Sequence, residues 1–284
     1  MGFILGNPRS GTSLFRLMLN ANVNIISPPE CGFMQWWHEK YHNWCIRDNN
    51  NERLNEYISD ILTSKKMESW NLNFNSLSNF IKEQEPKNYK DLSACVYYLY
   101  GQKKSTPITI VDKNNYYIDH LDWLKSLWPN ARFLHLVRDG RDVSCSYREI
   151  ESLNTDSIYK PKLPQKISEI AIEWTKNNQN IEAEMSQGNY MLVRYEDLIL
   201  KTTETLKDVC DFLAVGFHQS MLNYYKMDKS NQVEPLETLD WKKKTKEKPD
   251  SNRIGYYKQN LSSREIVEFE NIANKGLKKY EYIK

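Results

Sequence analysis

The sequence predicts an α/β fold: a single P-loop-like domain with a central parallel sheet of about five strands flanked by helices. Three observations predict it. Short apolar runs recur along the 284 residues, at 2–6, 24–27, 107–111, 132–137 and 190–193. Stretches with apolar residues at helical spacing separate most of these runs. The runs are continuous instead of alternating, which marks strands covered on both faces by crossover helices. A chain of this length can bury about three quarters of its unfolded surface, so one domain over 1–284 needs no disulfide or metal staple.

The elements follow in order. The run 2–6 ends at Asn7-Pro8 and reads as a buried strand. Over 12–21, Leu14, Leu17, Met18 and Ala21 recur at helical spacing. The second run, 24–27, is closed by Pro28-Pro29. From Glu30 to about Lys104 the chain is mostly helical and polar, with Trp36, Trp37, Trp44, Tyr57 and Trp70 expected as inward anchors. After the strand 107–111, an amphipathic helix is expected over 116–128, stopped by Pro129-Asn130. The strand 132–137 is followed by helices at 141–150 and 167–185. The strand 190–193 is followed by a helix at 203–215. Residues 225–252 are lysine-rich and aperiodic, and Ser262-Ser263-Arg264-Glu265 is a capping box that opens a closing helix over 262–279. Ligands of such sheets sit past the carboxyl ends of the strands. The places to search are therefore 6–13, 27–31, 112–115, 138–146 and 194–197.

Composition narrows the function. Hydrophobic residues are 40% and charged residues 27%, which excludes wholesale disorder and a polytopic membrane protein. Thirty-nine basic against 37 acidic side chains give +2, too little for a field that recruits nucleic acid, so any polyanion site is local. The five cysteines form no CxxC pair and read as reduced thiols, giving a cytoplasmic expectation. No leader and no membrane span is expected.

Gly6-Asn7-Pro8-Arg9-Ser10-Gly11-Thr12-Ser13 joins the first strand to the first helix in nearly the Walker A frame, G-x-x-x-x-G-K-[ST]. Thr12 stands at the lysine position. The glycines still let the backbone curl, so that the N–H groups along Ser10, Gly11, Thr12 and Ser13 face one anion at a helix N-terminus. Arg9 can add a bidentate grip on phosphate. The missing lysine argues against ordinary ATP or GTP hydrolysis; a tight turn built from small residues is the alternative. Val137-Arg138-Asp139-Gly140-Arg141-Asp142-Val143-Ser144-Cys145-Ser146 again follows a strand and opens a helix. Arg138 and Ser146, eight positions apart, can hold a second phosphate; a local Arg138–Asp139 ion pair and a packed serine are the alternative.

PRSGTS after a first strand, with VRDGRDVSCS after a later one, resembles the sulfotransferases that use 3′-phosphoadenosine 5′-phosphosulfate (PAPS). The motif spacing is nearest the protein-tyrosine sulfotransferases and similar bacterial enzymes. The resemblance implies that the first loop grips the 5′-phosphosulfate, while Arg138 and Ser146 take the 3′-phosphate. Glu30, 21 positions after Arg9, falls where those enzymes carry a catalytic glutamate. Lys113, in Val111-Asp112-Lys113-Asn114, matches a lysine that contacts the sulfuryl bridge. Arg194-Tyr195-Glu196-Asp197-Leu198 resembles the family's RYEDL segment, whose tyrosine approaches adenine, which gives that place to Tyr195. Arg253-Ile254-Gly255-Tyr256-Tyr257-Lys258 resembles a C-terminal loop written G-x-W-K, with Tyr257 in place of tryptophan and Arg253 as a phosphate ligand. Residues 225–260 would then form a closing lid, and 40–105 the helical acceptor side, where no further resemblance is found.

The implied activity is transfer of a sulfuryl group to a hydroxyl of a small molecule, sugar, lipid or peptide tyrosine. Glu30 would act as general base and Lys113 would stabilise the bridging oxygen, with no metal and with adenosine 3′,5′-bisphosphate as product. One departure stands out: the tyrosylprotein branch has an arginine two positions after its glutamate, and this chain has Gly32.

Other readings have their own residues. His38-Glu39-Lys40-Tyr41-His42 spells the zinc-protease pattern H-E-x-x-H, with Cys45 as a possible third ligand. A P-loop kinase or NTPase would draw its Mg²⁺ carboxylate from Asp112. A nucleotide-binding module without turnover is a third reading. Lys242, Lys243, Lys244, Lys246 and Lys248 form the one basic run, either a solvated loop or an attractor for anions.

Overall fold

The structure, a computed structural model, describes residues 1–49, 51–102, 109–185, 188–226, 238, 241, 245 and 247–284. Its centre is a five-stranded sheet: β1 (Gly2–Leu5), β2 (Ile25–Ile26), β3 (Thr109–Lys113), β4 (Arg132–Val137) and β5 (Tyr190–Arg194). The strand order is β2-β3-β1-β4-β5, and every pairing is parallel. Ile4 registers with Lys113 on one side and Leu134 on the other. Val137 registers with Arg194. The carboxyl ends of β3, β1 and β4 thus lie side by side, about 4.8 Å per strand.

Strand alternation sorts the core. Phe3, Leu5 and Phe133 point to one face, where they join Tyr57, Trp70 and Tyr97 of the helical region 33–101. Ile4, Leu134 and Leu136 point to the other, against α1 (Thr12–Asn20) and α11 (Thr202–Leu213). A third cluster joins Val137 to α8 (Gly140–Glu151), α9 (Ile167–Glu184) and α13 (Ser263–Lys279). His135 is the buried polar residue of β4. Its ring nitrogens lie 2.8 Å from Tyr190 Oη and 2.8 Å from Asn178 Oδ1, and burial pushes its pKa down to about 4.

The helical region comprises α2 (Phe33–Trp36), α3 (His38–Tyr41), α4 (Asn51–Leu62), α5 (Phe74–Gln84) and α6 (Tyr89–Gly101). Trp44, Tyr57 and Trp70 are buried there as expected. Trp36 is not: it stays 37% exposed, with its indole over Gly32 and its ring 5.6 Å from that of Tyr116.

Two changes of boundary bear on the site. The third strand runs Thr109–Lys113, so Asp112 and Lys113 belong to it; 107–108 lie outside the described residues. The single helix expected over 116–128 is broken. A 3₁₀ turn, Asn115–Asp119, precedes α7 (Leu121–Leu127), because His120 between them is non-helical (φ −139°, ψ 32°). The remaining helices are α10 (Tyr195–Leu200) and α12 (Tyr257–Asn260). The capping box at Ser262 and Glu265 forms at the start of α13. Lys242, Lys243, Lys244 and Lys246, and with them part of the expected lid, lie outside the described residues; Lys248 is exposed. Among the described residues no helix is long and apolar enough to cross a membrane.

Candidate active site

The first loop is shaped by its neighbours. A Cβ on Gly6 would lie 2.5 Å from the Leu136 carbonyl oxygen, so only glycine lets β1 leave the sheet there. Asn7 braces the turn: its amide donates to Tyr147 Oη at 3.0 Å and accepts from Asn177 at 2.8 Å. Arg9 (φ 67°) and Gly11 (φ 97°) both take left-handed backbone, which turns the chain into α1. No side chain caps α1, so its first N–H groups face outward with the positive end of the helix dipole. Ser10 Oγ is buried and has no hydrogen-bond partner among the described residues. Thr12 is buried and Ser13 half-buried beside it.

The second loop brings three arginines together. Arg138, at the end of β4, is 5% exposed. Its guanidinium lies 4.4 Å from the centroid of the Tyr195 ring and donates 2.8 Å to the Arg253 carbonyl. Its Nε is buried without a partner among the described residues. Arg9 Nε donates to Ser146 Oγ at 3.2 Å. Arg253 makes a bidentate pair with Glu149 at 2.6 and 2.7 Å. Burial, then the charge of Arg138, push Arg9 down to about 10. A buried arginine pushed down by a neighbouring cation leaves a place for an anion. The orphaned Ser10 Oγ and Arg138 Nε are the donors such an anion would satisfy. The alternative Arg138–Asp139 pair does not form among the described residues; Asp139 caps α8 and pairs with Arg141 at 2.7 Å.

Asp142, unforeseen from the sequence, ties the C-terminal loop to this site. Its carboxylate accepts from the N–H of Gly255 at 2.8 Å and of Tyr257 at 2.9 Å.

On the β3 side of the first loop, Glu30 meets Lys113. Lys113 Nζ lies 2.9 Å from Glu30 Oε2, with side chains 3% and 13% exposed. The approach to Glu30 is held rigidly. Arg16 and Trp70 donate to the carbonyls of Ser27 and Pro29, both at 2.9 Å, and Ser27 Oγ donates to the Val111 carbonyl at 2.6 Å. A second ammonium, Lys66 Nζ, lies 3.4 Å from the same Glu30 oxygen. No motif or spacing announced it, because Lys66 arrives from the helical region.

The rival sites lose their geometry. His42 Nδ1 is engaged by the Glu39 carbonyl at 2.8 Å, and His38 packs edge-on to Tyr89 and Trp123. Among the described residues no three His, Cys, Asp or Glu side chains gather to hold a metal. Asp112 is fully buried, with Tyr97 and Tyr117 each donating to its Oδ2 at 2.8 Å. It therefore lies beneath the site and not in it.

Known proteins share this chain's sequence pattern and fold. Residues 3–219 match the model of the sulfotransferase family. A protein-tyrosine sulfotransferase 1 of Danio rerio is 25% identical over 231 residues, 78% of this chain and 55% of that protein. The Drosophila melanogaster protein-tyrosine sulfotransferase is 27% identical over 84% of this chain and 42% of its own length. The chain thus spans about half the length of these relatives. The sulfotransferase domain of the Synechococcus PCC 7002 olefin synthase superposes with a TM-score of 0.63 at 23% identity, covering 97% of this chain and 93% of that one. The sulfotransferase domain of the curacin biosynthetic pathway gives 0.61 at 23% identity, covering 96% and 95%. Those likenesses are of fold. The family match itself runs from β1 past α11 and takes in both arginine-bearing loops and the Glu30–Lys113 pair, and on that span the chain belongs to the sulfotransferase family.

Proposed function

We propose that this chain moves a sulfuryl group from PAPS to a hydroxyl acceptor, with Glu30 as general base. The observation that carries the reading is the Glu30–Lys113 contact of 2.9 Å, set one strand away from a lysine-free anion loop. PAPS supplies an activated sulfuryl group whose leaving group is already a phosphate.

This chain's residues would do the rest. The α1 N-terminus, Ser10 Oγ and Arg9 would hold the 5′ end; Arg138 and Ser146 would hold the 3′-phosphate. Tyr195, whose ring lies against Gly11 and under Arg138, would wall the adenine side. Arg253 would join them once it leaves Glu149. Glu30 takes the acceptor's hydroxyl proton as the acceptor oxygen bonds to sulfur and the bond from sulfur to the bridging oxygen breaks. Lys113 neutralises the charge that develops on that bridging oxygen. Positioning and charge stabilisation do most of the catalysis in such in-line transfers, and the base adds roughly 10²–10⁴-fold.

Thermal shift with adenosine 3′,5′-bisphosphate, ADP and ATP–Mg²⁺, each with and without EDTA, tests the donor. Stabilisation by the 3′,5′-bisphosphate, indifferent to EDTA, is expected; a ligand at a hundred times its Kd adds about 2.7 kcal/mol. A shift with ATP–Mg²⁺ alone would move the reading to a kinase. Glu30→Gln should lose turnover and keep affinity for the bisphosphate; full turnover in that variant would remove Glu30 as base.

A further inference from the structure

Lys113 is asked to do two things at once. It neutralises Glu30 at 2.9 Å, and in the transfer set out above it turns to the bridging oxygen. A carboxylate only 13% exposed keeps its charge at lower cost when a second counter-charge stands beside it. Lys66 stands ready, its Nζ 3.4 Å from Glu30 Oε2 and its side chain also 13% exposed.

The backbone at Lys66 is built to put it there. Lys66 has φ 69° and ψ 2°, a left-handed conformation costly for any residue with a Cβ. It follows α4 and opens the 3₁₀ turn Met67–Trp70. Partners from distant chain hold it: its N–H donates to Tyr159 Oη at 3.4 Å, and Tyr159 in turn donates to Glu68 at 2.8 Å. Its carbonyl accepts from Ser69 Oγ at 2.6 Å. Strain that the surroundings enforce on a cleft residue points to a task for its side chain.

Among the described residues, the charged and titratable groups about Glu30 are Lys113 from β3 and Lys66 from this turn, with Glu68 two residues on and the Tyr159 ring beside Lys66. Asp112 lies behind Lys113, and Cys31, next in the chain, has a thiol that burial pushes up to about 12. We propose that Lys66 is a positioning residue: its ammonium keeps the Glu30 carboxylate ionised and in place while Lys113 serves the sulfuryl group. The inference rests on the reading of Glu30 as base.

Glycine adopts left-handed backbone without strain, so Lys66→Gly removes the ammonium without harming the turn. The acceptor-free readout is the titration of the Glu30 side-chain carboxyl by carbon NMR in glutamate-labelled protein, its signal assigned by its loss in Glu30→Gln. In Lys66→Gly the Glu30 midpoint should rise by about one pH unit or more, the effect of losing a close opposite charge. The melting temperature should hold or rise. Lys66→Arg should restore the midpoint, and Lys66→Met reads the same shift if the glycine variant loses its fold. An unmoved midpoint would overturn the role of Lys66. Full turnover in Glu30→Gln would instead remove the base, and the purpose of Lys66 with it. An inactive Glu30→Gln with an unmoved midpoint would sink Lys66 alone.

Discussion

The ring of Tyr195 lies against the backbone of Gly11 so closely that a Cβ there would fall 2.6 Å from its Cδ2 and 2.8 Å from its Cε2. The first residue of α10 and the N-cap of α1 are thus one contact, and the first loop is roofed by an aromatic ring that also lies under Arg138 at 4.4 Å.

Gly11→Ala should therefore fail twice. Its φ of 97° is strained for alanine, by about 1–2 kcal/mol, and the ring must give way to the methyl. The melting temperature should drop, and stabilisation by adenosine 3′,5′-bisphosphate should shrink. A variant that melts and binds like the parent would show that Tyr195 does not roof the loop.

Arg138→Ala should weaken the bisphosphate by about 2 kcal/mol or more, the scale of a charge-assisted contact with a buried partner. Calorimetric titration of adenosine 3′,5′-bisphosphate against adenosine 5′-monophosphate isolates the role. The parent should prefer the bisphosphate and the variant should not. An undiminished preference would move the 3′-phosphate elsewhere.

Asp142→Ala leaves two backbone N–H groups, of Gly255 and Tyr257, without their acceptor. Each costs about 1–3 kcal/mol if it stays buried; if the loop opens instead, residues 253–257 become the place where a protease cuts. Limited proteolysis of parent and variant separates the two. Equal stability and equal resistance would show that Asp142 does not hold the loop.

Two buried groups give opposed pH dependences. Burial takes His135 down to about 4 from 6.5, so the unfolded chain binds the extra proton across that window. Stability then rises with pH from 4 to 6.5, by about 3 kcal/mol. Burial, against hydrogen bonds from Tyr117 and Tyr97, takes Asp112 up to about 6 from 3.8. Here the folded chain holds the extra proton, and stability falls by about 3 kcal/mol across the window. The two nearly cancel in the parent. Asp112→Asn should gain stability over the parent progressively from pH 4 to 6 and hold the gain above. A difference in melting temperature that stays constant with pH would refute the assignment.

Much of this was readable in one dimension, for stated reasons. Strands buried on both faces leave unbroken apolar runs, so four of the five strands were plain; β2 makes ladder pairs through Ile25 and Ile26 alone. Loops that bind anions follow strands and open helices, which located Arg9, Arg138 and Ser146. The Glu30–Lys113 contact came from a resemblance that the register of β1 with β3 makes spatial sense of. Lys66 and Asp142 carry no such mark. One is brought in by the packing of α4 and Tyr159, the other by backbone N–H groups 113 and 115 positions away, and neither leaves a period or a motif. The helix broken at His120 has an amphipathic pattern that ignores the turn imposed by Asn114, whose side chain caps Tyr116.

The strand order has a use in protein engineering. The segment carrying Trp36, Trp70 and Lys66 departs after β2 and returns into β3, and Ile26 pairs directly with Ile110. Its two attachment points are therefore neighbouring strands of one ladder, whatever the length of chain between them. A foreign helical segment spliced in after Glu30 and before β3 would meet the same gap, while Glu30 and the arginine-bearing loops on β1 and β4 stay untouched. On the proposed reading, such a splice would recode which hydroxyl is presented to an unchanged donor pocket.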